Sequence, residues 1–319
     1  MASQRIEALP LAHLRSVGGG FFAMRRWAHR THLAGFIAAL AVAACARGDR
    51  AATTGGTVVT DDAGRRVALA GPAQRIVSLL PSFTELLFAI GAGDRLVGRT
   101  TWCDYPPDAL RVPSVGDGMP PNVEVVVARR PDLVVLYRSG PNLTAADQLE
   151  RMGIRTVLLD LNLLEDLGPA ARRLGVLTGR RAAADSLTRL LDDLASRPPA
   201  PSTLSLVFVV WDNPPIVIGA GSYLDRLAAL AGASNVFHDI GSPSAQVSIE
   251  TIAARDPDYI AVLSDSAVRP RYATRPEWRA VRAVREGRFL FLPGQLFGRP
   301  GPRAAEAVRE FRVRLDTAP

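Results

Sequence analysis

The chain contains 319 residues, of which 48% are apolar and 22% are charged. This composition excludes an intrinsically disordered or fibrous protein, and the length is sufficient for two compact lobes with separate cores. The formal net charge is +7, and every basic side chain belongs to an arginine. We attribute the arginines to codon usage and expect no nucleic-acid binding, because much of the excess charge lies in an N-terminal segment that we predict to be removed.

That N-terminal segment has the features of an export signal. Residues 24–30 are cationic, and residues 33–41 form an apolar run that is too short to cross a membrane. The run leads to Val42-Ala43-Ala44-Cys45, which resembles a bacterial lipobox. We therefore predict a true translation start at Met24 after an extension of residues 1–23, a lipoprotein signal peptide over 24–44, lipidation of Cys45 and a linker over 45–56. An ordinary signal peptide cleaved nearby is the alternative.

Without residues 1–44 the chain keeps 33 arginines, 30 acidic side chains and one histidine, His238. If Cys45 carries lipid, Cys103 is the only thiol left, so no intramolecular disulfide can form in an oxidising compartment. A single cysteine without clustered histidines is not a metal site, and we predict a buried or loop thiol. After residue 60 no stretch is long and apolar enough to span a membrane. We expect a protein of the periplasm or cell surface that reaches the membrane only through its lipid.

The first half of the remaining chain reads as an α/β lobe. A small hairpin over 57–69 precedes a buried strand over 75–80. Ser82 and Glu85 have the spacing of a capping box, which predicts a helix from residue 83 to residue 90, ended by Gly91. The pattern then predicts a strand from residue 95, a short helix over 122–128, a strand over 133–137, a helix over 144–152 and a strand over 156–159.

The second half repeats this order. A helix that opens at Ser222 is ended by Gly232, a short helix covers 248–254, and strands cover 204–210, 259–263 and 289–292. Glu124 and Asp132 are eight residues apart, as are Glu250 and Asp258, which indicates an internal duplication. The first half contains 14 additional residues, which we place in a long loop over 99–119. Loops of this length inside a compact lobe are often functional.

Two helices are predicted between the halves, over 165–179 and 181–196. The second has leucines at helical spacing and a length of about 24 Å, enough to join two lobes and to restrict hinge motion. The predicted fold is α/β, with two Rossmann-like lobes joined by a long backbone helix and a ligand cleft between them. We assign the N-terminal lobe to 57–164, the connecting helices to 165–200 and the C-terminal lobe to 201–319.

Four stretches carry a resemblance to a known family: RIVSLLPSFTELLFAIGAGDRLVGRT (75–100), WCDYPP (102–107), VARRPDLVVLY (127–137) and RPGPR (299–303). Over residues 57–315 the chain resembles the helical-backbone, class III periplasmic binding proteins of ABC importers for cobalamin, ferric siderophores and haem. The segment at 102–106 is most similar to the cobalamin branch, in which an aromatic residue at the position of Trp102 faces the ligand. That branch often has a tryptophan before the second docking helix, whereas this chain has residues 241–246 (GSPSAQ).

The resemblance implies a transported ligand that is a broad, mostly apolar plate with polar edges, and such a site needs aromatic faces and a few directional polar groups. Candidates lie in the long loop and after predicted strands, where open α/β sheets bind ligands. They are Trp102, Tyr105, Tyr137, Trp211, Phe297 and Arg299. Cobalamin or another corrinoid is the leading ligand, with haem or a ferric siderophore as the alternative. For haem, Tyr105, Tyr137 or His238 could supply an axial bond.

Glu124 and Glu250 occupy equivalent positions in the first turns of the two short helices, where a carboxylate also suits the helix dipole. In the family that the chain resembles, the corresponding glutamates dock a monomeric binding protein onto a permease dimer. The sequence has no GxSxG, HExxH or P-loop motif, so we predict no enzyme, no catalytic residue, no resident cofactor and no metal site. A cell-surface scaffold lipoprotein is the alternative from another class.

Overall fold

A computed structural model describes residues 56–202 and 204–318. The predicted signal peptide and Cys45 lie outside these residues, as does the linker up to residue 55. The described residues belong to one compact unit. No helix in the described part of the chain is long and apolar enough to cross a membrane.

The N-terminal lobe is built on a parallel sheet with the strand order β4-β3-β5-β6. A separate antiparallel hairpin, β1–β2, precedes the sheet, as predicted. The elements are β1 (Thr57–Thr60), β2 (Arg66–Leu69), β3 (Ile76–Ser78), α1 (Pro81–Ala89), β4 (Leu96–Arg99), α2 (Val123–Ala128), β5 (Leu133–Tyr137), α3 (Gly140–Arg151) and β6 (Arg155–Leu159). Strands β3, β5 and β6 are buried along almost their whole length because helices cover the faces of the sheet.

The C-terminal lobe repeats this sheet with the parallel order β9-β7-β11-β12. Two further strands, β8 and β10, extend it in antiparallel fashion beside the far end of β7. The elements are β7 (Leu204–Asp212), β8 (Pro215–Ile218), α6 (Tyr223–Ala231), β9 (Ala233–Asn235), β10 (Ser244–Gln246), α7 (Ile249–Arg255), β11 (Tyr259–Leu263), α8 (Arg282–Arg285), β12 (Phe289–Leu292), α9 (Gly294–Phe297) and α10 (Ala304–Asp316). The predicted duplication is thus visible in the strand order itself.

Helices α4 (Leu167–Thr178) and α5 (Arg181–Ser196) connect the lobes as an antiparallel hairpin. They pack closely at Gly175, where an added Cβ would lie 2.3 Å from the Cβ of Ala184. At one end of the hairpin, Arg95 of the N-terminal lobe donates to the Thr178 carbonyl at 2.6 Å. At the other end, Arg226 of the C-terminal lobe donates to the Ala195 carbonyl at 2.7 Å. The 16-residue α5 is the predicted backbone helix, and its partner helix stiffens it.

The short helices α2 and α7 each begin one residue after the predicted start, because Asn122 and Ser248 cap them. The Asn122 side chain accepts from the Val125 N–H, and the Ser248 hydroxyl accepts from the Thr251 N–H, both at 3.1 Å. The chain leaves both helices in the same way, since Arg130 and Asp256 have φ values of 48° and 44° at equivalent positions.

The predicted capping box of α1 is wrong. The helix begins at Pro81 after an extended Leu80, so Ser82 lies inside its first turn. Proline at the first helical position has its φ angle already fixed for a helix and needs no N–H partner there. Glu85 is consequently free to pair with a residue of the other lobe.

The largest apolar core is shared by both lobes and the connecting helices. It joins Ile76 and Leu133 of the first sheet to Leu174 of α4 and to Phe208 and Phe311 of the second lobe. Two smaller cores fill the remaining faces of the two sheets. Because one packed core extends across the junction, a large change in the angle between the lobes would expose apolar surface.

Candidate ligand-binding cleft

A cavity of about 600 Å³ lies where the two lobes meet, a volume within the usual range for small-molecule sites. Most of its wall comes from the carboxyl ends of three parallel strands of the N-terminal lobe, which agrees with the general rule for open α/β sheets. The lining consists of residues 79–82 after β3, Trp102, Asp117 and Met119 in the loop after β4, Tyr137 at the end of β5, Leu161 and Asn162 after β6, and residues 298–300 of the C-terminal lobe.

The surface of the cavity is mainly apolar with a few polar groups at defined places. Trp102 and Met119 remain 59% and 51% exposed, so their side chains are available to a ligand. Tyr137 donates its hydroxyl hydrogen to the Asn162 side-chain oxygen at 2.7 Å, which orients both side chains. Arg299 adds one cationic group. This combination suits a broad apolar molecule with polar substituents at its edge.

Arg299 is held by an ion pair that crosses between the lobes. Its guanidinium pairs with Asp104 of the long loop, and the Gln295 side chain donates to the other Asp104 oxygen at 3.2 Å. The hydrogen bond from Arg299, and then its charge, hold the pKa of Asp104 below its ordinary value. The carboxylate is therefore ionised at neutral pH and fixes the position of the arginine at the cavity wall.

A second and more buried ion pair joins the lobes beside the first. Arg303 donates through two nitrogens to the two oxygens of Glu85, both at 2.8 Å. The Glu85 side chain is 2% exposed and that of Arg303 is 15% exposed. The guanidinium also lies 3.8 Å from the centroid of the Tyr105 ring. Burial, and then the negative charge of Glu85, raise the pKa of the neighbouring Tyr223, so its phenol stays protonated.

The structure brings three of the six predicted ligand residues together at the cavity: Trp102, Tyr137 and Arg299. Tyr105 does not line the cavity and instead packs under Arg303. Trp211 is 59% exposed near the end of strand β7, and its ring N–H donates to the Asn213 carbonyl in the following turn at 2.9 Å. It does not line the cavity, and its contact with a ligand stays a prediction.

The prediction for Phe297 is wrong. Its side chain has no exposed surface, and its ring meets the Phe311 ring edge-to-face with a centroid distance of 5.5 Å. The residues after β12 form the short helix α9 and not an open loop, and this turn directs Phe297 into the core.

Cys103 is buried, in agreement with its prediction, and its sulfur lies 3.1 Å from the Thr100 hydroxyl oxygen.

The sequence reasoning missed Glu85, Asp104, Asn162 and Arg303 as contributors to the cleft. Asn162 follows the carboxyl end of β6 and could have been found by the rule that selected Tyr137. Asp104 and Arg303 lie inside the stretches that carry the family resemblance. Glu85 also lies inside one of these stretches (75–100), but its predicted capping role within α1 gave no reason to look for a partner in the other lobe.

His238 lies away from the cavity. Its Nδ1 is 2.8 Å from an oxygen of Asp225, a buried carboxylate that also accepts from the Asn235 side chain at 2.9 Å. This arrangement is internal to the C-terminal lobe. Within residues 56–202 and 204–318, no group of three or more histidine, cysteine or acidic side chains could hold a metal ion.

Comparison with known proteins places this architecture in a family. Residues 76–296 match the family described as periplasmic binding protein. The chain belongs to this family. The members are solute-binding proteins, and those of ABC transporters bind a ligand and interact with a permease.

Two relatives and two solved structures show which proteins this chain is similar to. A vitamin B12-binding protein of Vibrio cholerae is 28% identical over 77% of this chain and 91% of its own. An uncharacterized ABC transporter substrate-binding lipoprotein of Bacillus subtilis, YvrC, is 31% identical over 79% of this chain and 83% of its own. The structure of the V. cholerae vitamin B12-binding protein BtuF has a TM-score of 0.64 and 26% identity, covering 77% of this chain and 97% of its own. The structure of a periplasmic haem-binding protein of Pseudomonas aeruginosa has a TM-score of 0.63 and 25% identity, and the match covers 77% of this chain and 94% of that protein.

The two carboxylates that the sequence marks for docking are exposed on this periplasmic binding protein. Glu124 and Glu250 each take the second position of a capped short helix, one on each lobe. The backbone N–H of Glu250, and then the Ser248 hydroxyl, lower the pKa of the Glu250 carboxyl. Neither glutamate forms an ion pair within the described residues, so both remain available to a partner.

Proposed function

We propose that this protein is the substrate-binding component of an ABC importer and that it captures cobalamin or a related corrinoid. The observation that carries the proposal is the exposed Trp102 on the apolar wall of the inter-lobe cavity that Arg299 also lines. An indole face can stack on a broad ring, and a guanidinium can donate to polar groups at its edge. The vitamin B12-binding relative, matched over 91% of its length, supports the same ligand.

Haem is the second candidate, and the placement of possible axial ligands bears on it. Haem iron needs a side chain such as tyrosine or histidine in the site. Of the three residues considered for this role, only Tyr137 lines the cavity, and its hydroxyl is engaged by Asn162. A corrinoid makes no such demand of the protein, because stacking and edge contacts suffice. We therefore favour the corrinoid.

The ligand can be identified by titrating a purified chain of residues 46–319 with cyanocobalamin, haemin and a ferric siderophore, followed by visible spectroscopy and calorimetry. This chain retains the compact unit of the described residues. We expect cyanocobalamin to bind with a Kd below about 10 μM, which corresponds to about 7 kcal/mol. Tight binding of haemin with no binding of cyanocobalamin would overturn the proposal in favour of the second candidate.

Three substitutions refine the titration. Trp102→Ala should raise the Kd for cyanocobalamin at least about tenfold, or about 1.4 kcal/mol, because the stacking face is lost. Leu190→Ala is the matched control, since Leu190 is 70% exposed on α5 and remote from the cavity lining. Tyr137→Phe should abolish the spectral shift of bound haemin if Tyr137 ligates iron, while cyanocobalamin affinity should change by less than about tenfold.

Docking is proposed to use Glu124 and Glu250. The duplication places one exposed carboxylate on each lobe at an equivalent position, which suits a permease dimer that offers the same cationic pocket twice. The lowered pKa of Glu250 favours its ionised form, which is the form that pairs with a cationic pocket.

Membrane attachment is proposed to occur through a lipid on Cys45. The cysteine follows the small residues that precede lipidation sites, and the B. subtilis relative is described as a lipoprotein. Mass spectrometry of the protein from its native membrane should show a diacylglyceryl-modified N-terminal cysteine, and Cys45→Ala should release the protein. An N-terminus at another residue would refute the anchor without affecting the ligand proposal.

A further inference from the structure

We propose that the C-terminal lobe carries a second, separate site that binds a phosphate group. The site is a cavity of about 400 Å³ formed by the segment that crosses from β11 to β12. It is lined by Arg269, Arg279 and Arg285, together with Thr274 and the apolar residues Ala273 and Val284. It shares no lining residue with the ligand cleft.

The charge of this crossover is strongly one-sided. Residues 264–288 contain seven arginines and three acidic residues. The equivalent crossover of the N-terminal lobe, residues 138–154, contains two arginines and two acidic residues. The excess is therefore a local feature of one lobe and does not follow from the general use of arginine in this chain.

The seven arginines of this crossover fall into three groups: a first group of three in ion pairs, three unpaired arginines at the cavity, and Arg271, which has no ion pair among the described residues and does not line the cavity. Arg275, Arg282 and Arg288 each pair with at least one carboxylate. The three arginines at the cavity form no ion pair with any described residue. None of the three carboxylates of the crossover lines the cavity either, since Glu277 and Glu286 pair with the first group and Asp265 lies in a different depression. Three like charges thus surround one space without an anion to balance them.

Two of these guanidiniums are held in place by the backbone. Arg285 donates to the carbonyls of Arg279 and Ala280 at 2.9 and 3.1 Å. Arg269 donates to the Val284 carbonyl at 2.5 Å, and its guanidinium lies 5.4 Å from the centroid of the Phe289 ring. A guanidinium has five N–H donors, so each of these side chains keeps donors for a ligand. Their orientation is set before a ligand arrives, which lowers the entropic cost of binding.

Phosphate is the anion that fits this arrangement best. Its oxygens match the planar fork of arginine, and it can accept from several guanidiniums at once, whereas a carboxylate offers two oxygens and a single charge. The Thr274 hydroxyl already donates to the Arg271 carbonyl at 2.8 Å, so the arginines are the main donors. The group could belong to soluble phosphate or to a phospholipid headgroup, and the experiment distinguishes these sources.

The test uses residues 46–319 in two titrations at low ionic strength. Inorganic phosphate is followed by calorimetry, and phosphatidylcholine vesicles with and without phosphatidylglycerol are followed by co-sedimentation. We expect the double variant Arg279→Gln/Arg285→Gln to weaken binding at least about tenfold. Arg271→Gln is the matched control, because Arg271 is an exposed arginine of the same segment that does not line the cavity. It should change binding by less than about twofold.

Each outcome decides the proposal. Binding of inorganic phosphate that is lost in the double variant identifies a soluble-phosphate site. Vesicle binding that is lost in the double variant, without binding of inorganic phosphate, identifies a headgroup site. No binding in either titration, or an equal loss in Arg271→Gln, would show that no specific site exists. If the double variant unfolds, the single variant Arg279→Gln is used instead, because the Arg279 side chain makes no hydrogen bond or ion pair to a described residue. We expect it to weaken binding at least about threefold.

Discussion

The two lobes have the same strand order, but each contains one segment that the other lacks. Both have the same order of four parallel strands and the same short capped helix with an exposed glutamate. Only the N-terminal lobe has the long loop that brings Trp102 to the cleft. Only the C-terminal lobe has the arginine-rich crossover. The duplicated elements suit a symmetric partner. The unique elements are the ones for which we propose ligand binding in the N-terminal lobe and phosphate binding in the C-terminal lobe.

The lobes also differ in how they satisfy a buried carboxylate. Asp225 of α6 is paired inside its own lobe, with Asn235 and His238. Glu85 of α1 is paired with Arg303, which belongs to the other lobe. The N-terminal lobe therefore depends on its partner lobe for the stability of its own buried charge. This dependence, together with the shared core, favours a fixed angle between the lobes.

The largest effect is expected from breaking this dependence with Glu85→Gln. The substitution leaves the Arg303 charge buried without a counterion, and such changes cost about 3–5 kcal/mol. The free energy of unfolding, measured by urea denaturation, should fall by this amount. Asp108→Asn is the control, because Asp108 and Arg111 form a highly exposed pair worth about 0–1 kcal/mol. Equal losses in the two variants would contradict the inter-lobe role of Glu85.

The shared plan predicts equal effects from the two exposed glutamates. Glu124→Arg and Glu250→Arg should each reduce ligand import in cells at least about fivefold, since one of two equivalent docking contacts is lost and reversed. The double variant should stop import, while ligand affinity in solution stays unchanged. Asp185→Arg, which makes the same charge change on the exposed face of α5, is the control. A single variant that imports normally would break the symmetry of the proposed contact.

The sequence was sufficient for features that local chemistry determines. Buried strands, the two short helices near residues 122–128 and 248–254, and the spacing of Glu124 and Glu250 were all readable because each depends on neighbours a few residues away. The rule that ligands bind at carboxyl ends of parallel strands then located Tyr137 at the cleft.

The remaining features depend on contacts that are distant in the chain. Glu85 meets Arg303 across 218 positions, so its local capping pattern pointed to the wrong role. The side chain of Phe297 could point to solvent or to the core until the short helix α9 was known. Strands β8 and β10 were also not predicted, because β8 pairs with the extension of β7 and β10 pairs in turn with β8.

The smallest effect is expected from the ion pair between Asp104 and Arg299, which is the more exposed of the two pairs that join the lobes. The pKa of Asp104 is lowered in the folded protein by Arg299, so the pair stabilises the fold above the unfolded pKa of about 3.9. This contribution is lost as the pH falls through the lower, folded pKa. Asp104→Asn should therefore lower Tm at pH 7 by the equivalent of about 1 kcal/mol or less, as is usual for a partly exposed pair. The Tm difference from the wild type should shrink below pH 4, and in an Arg299→Gln background the same substitution should show no such pH dependence. A difference that stays constant as the pH is lowered through the acidic range would mean that Asp104 stabilises the lobe contact by packing and not by its charge.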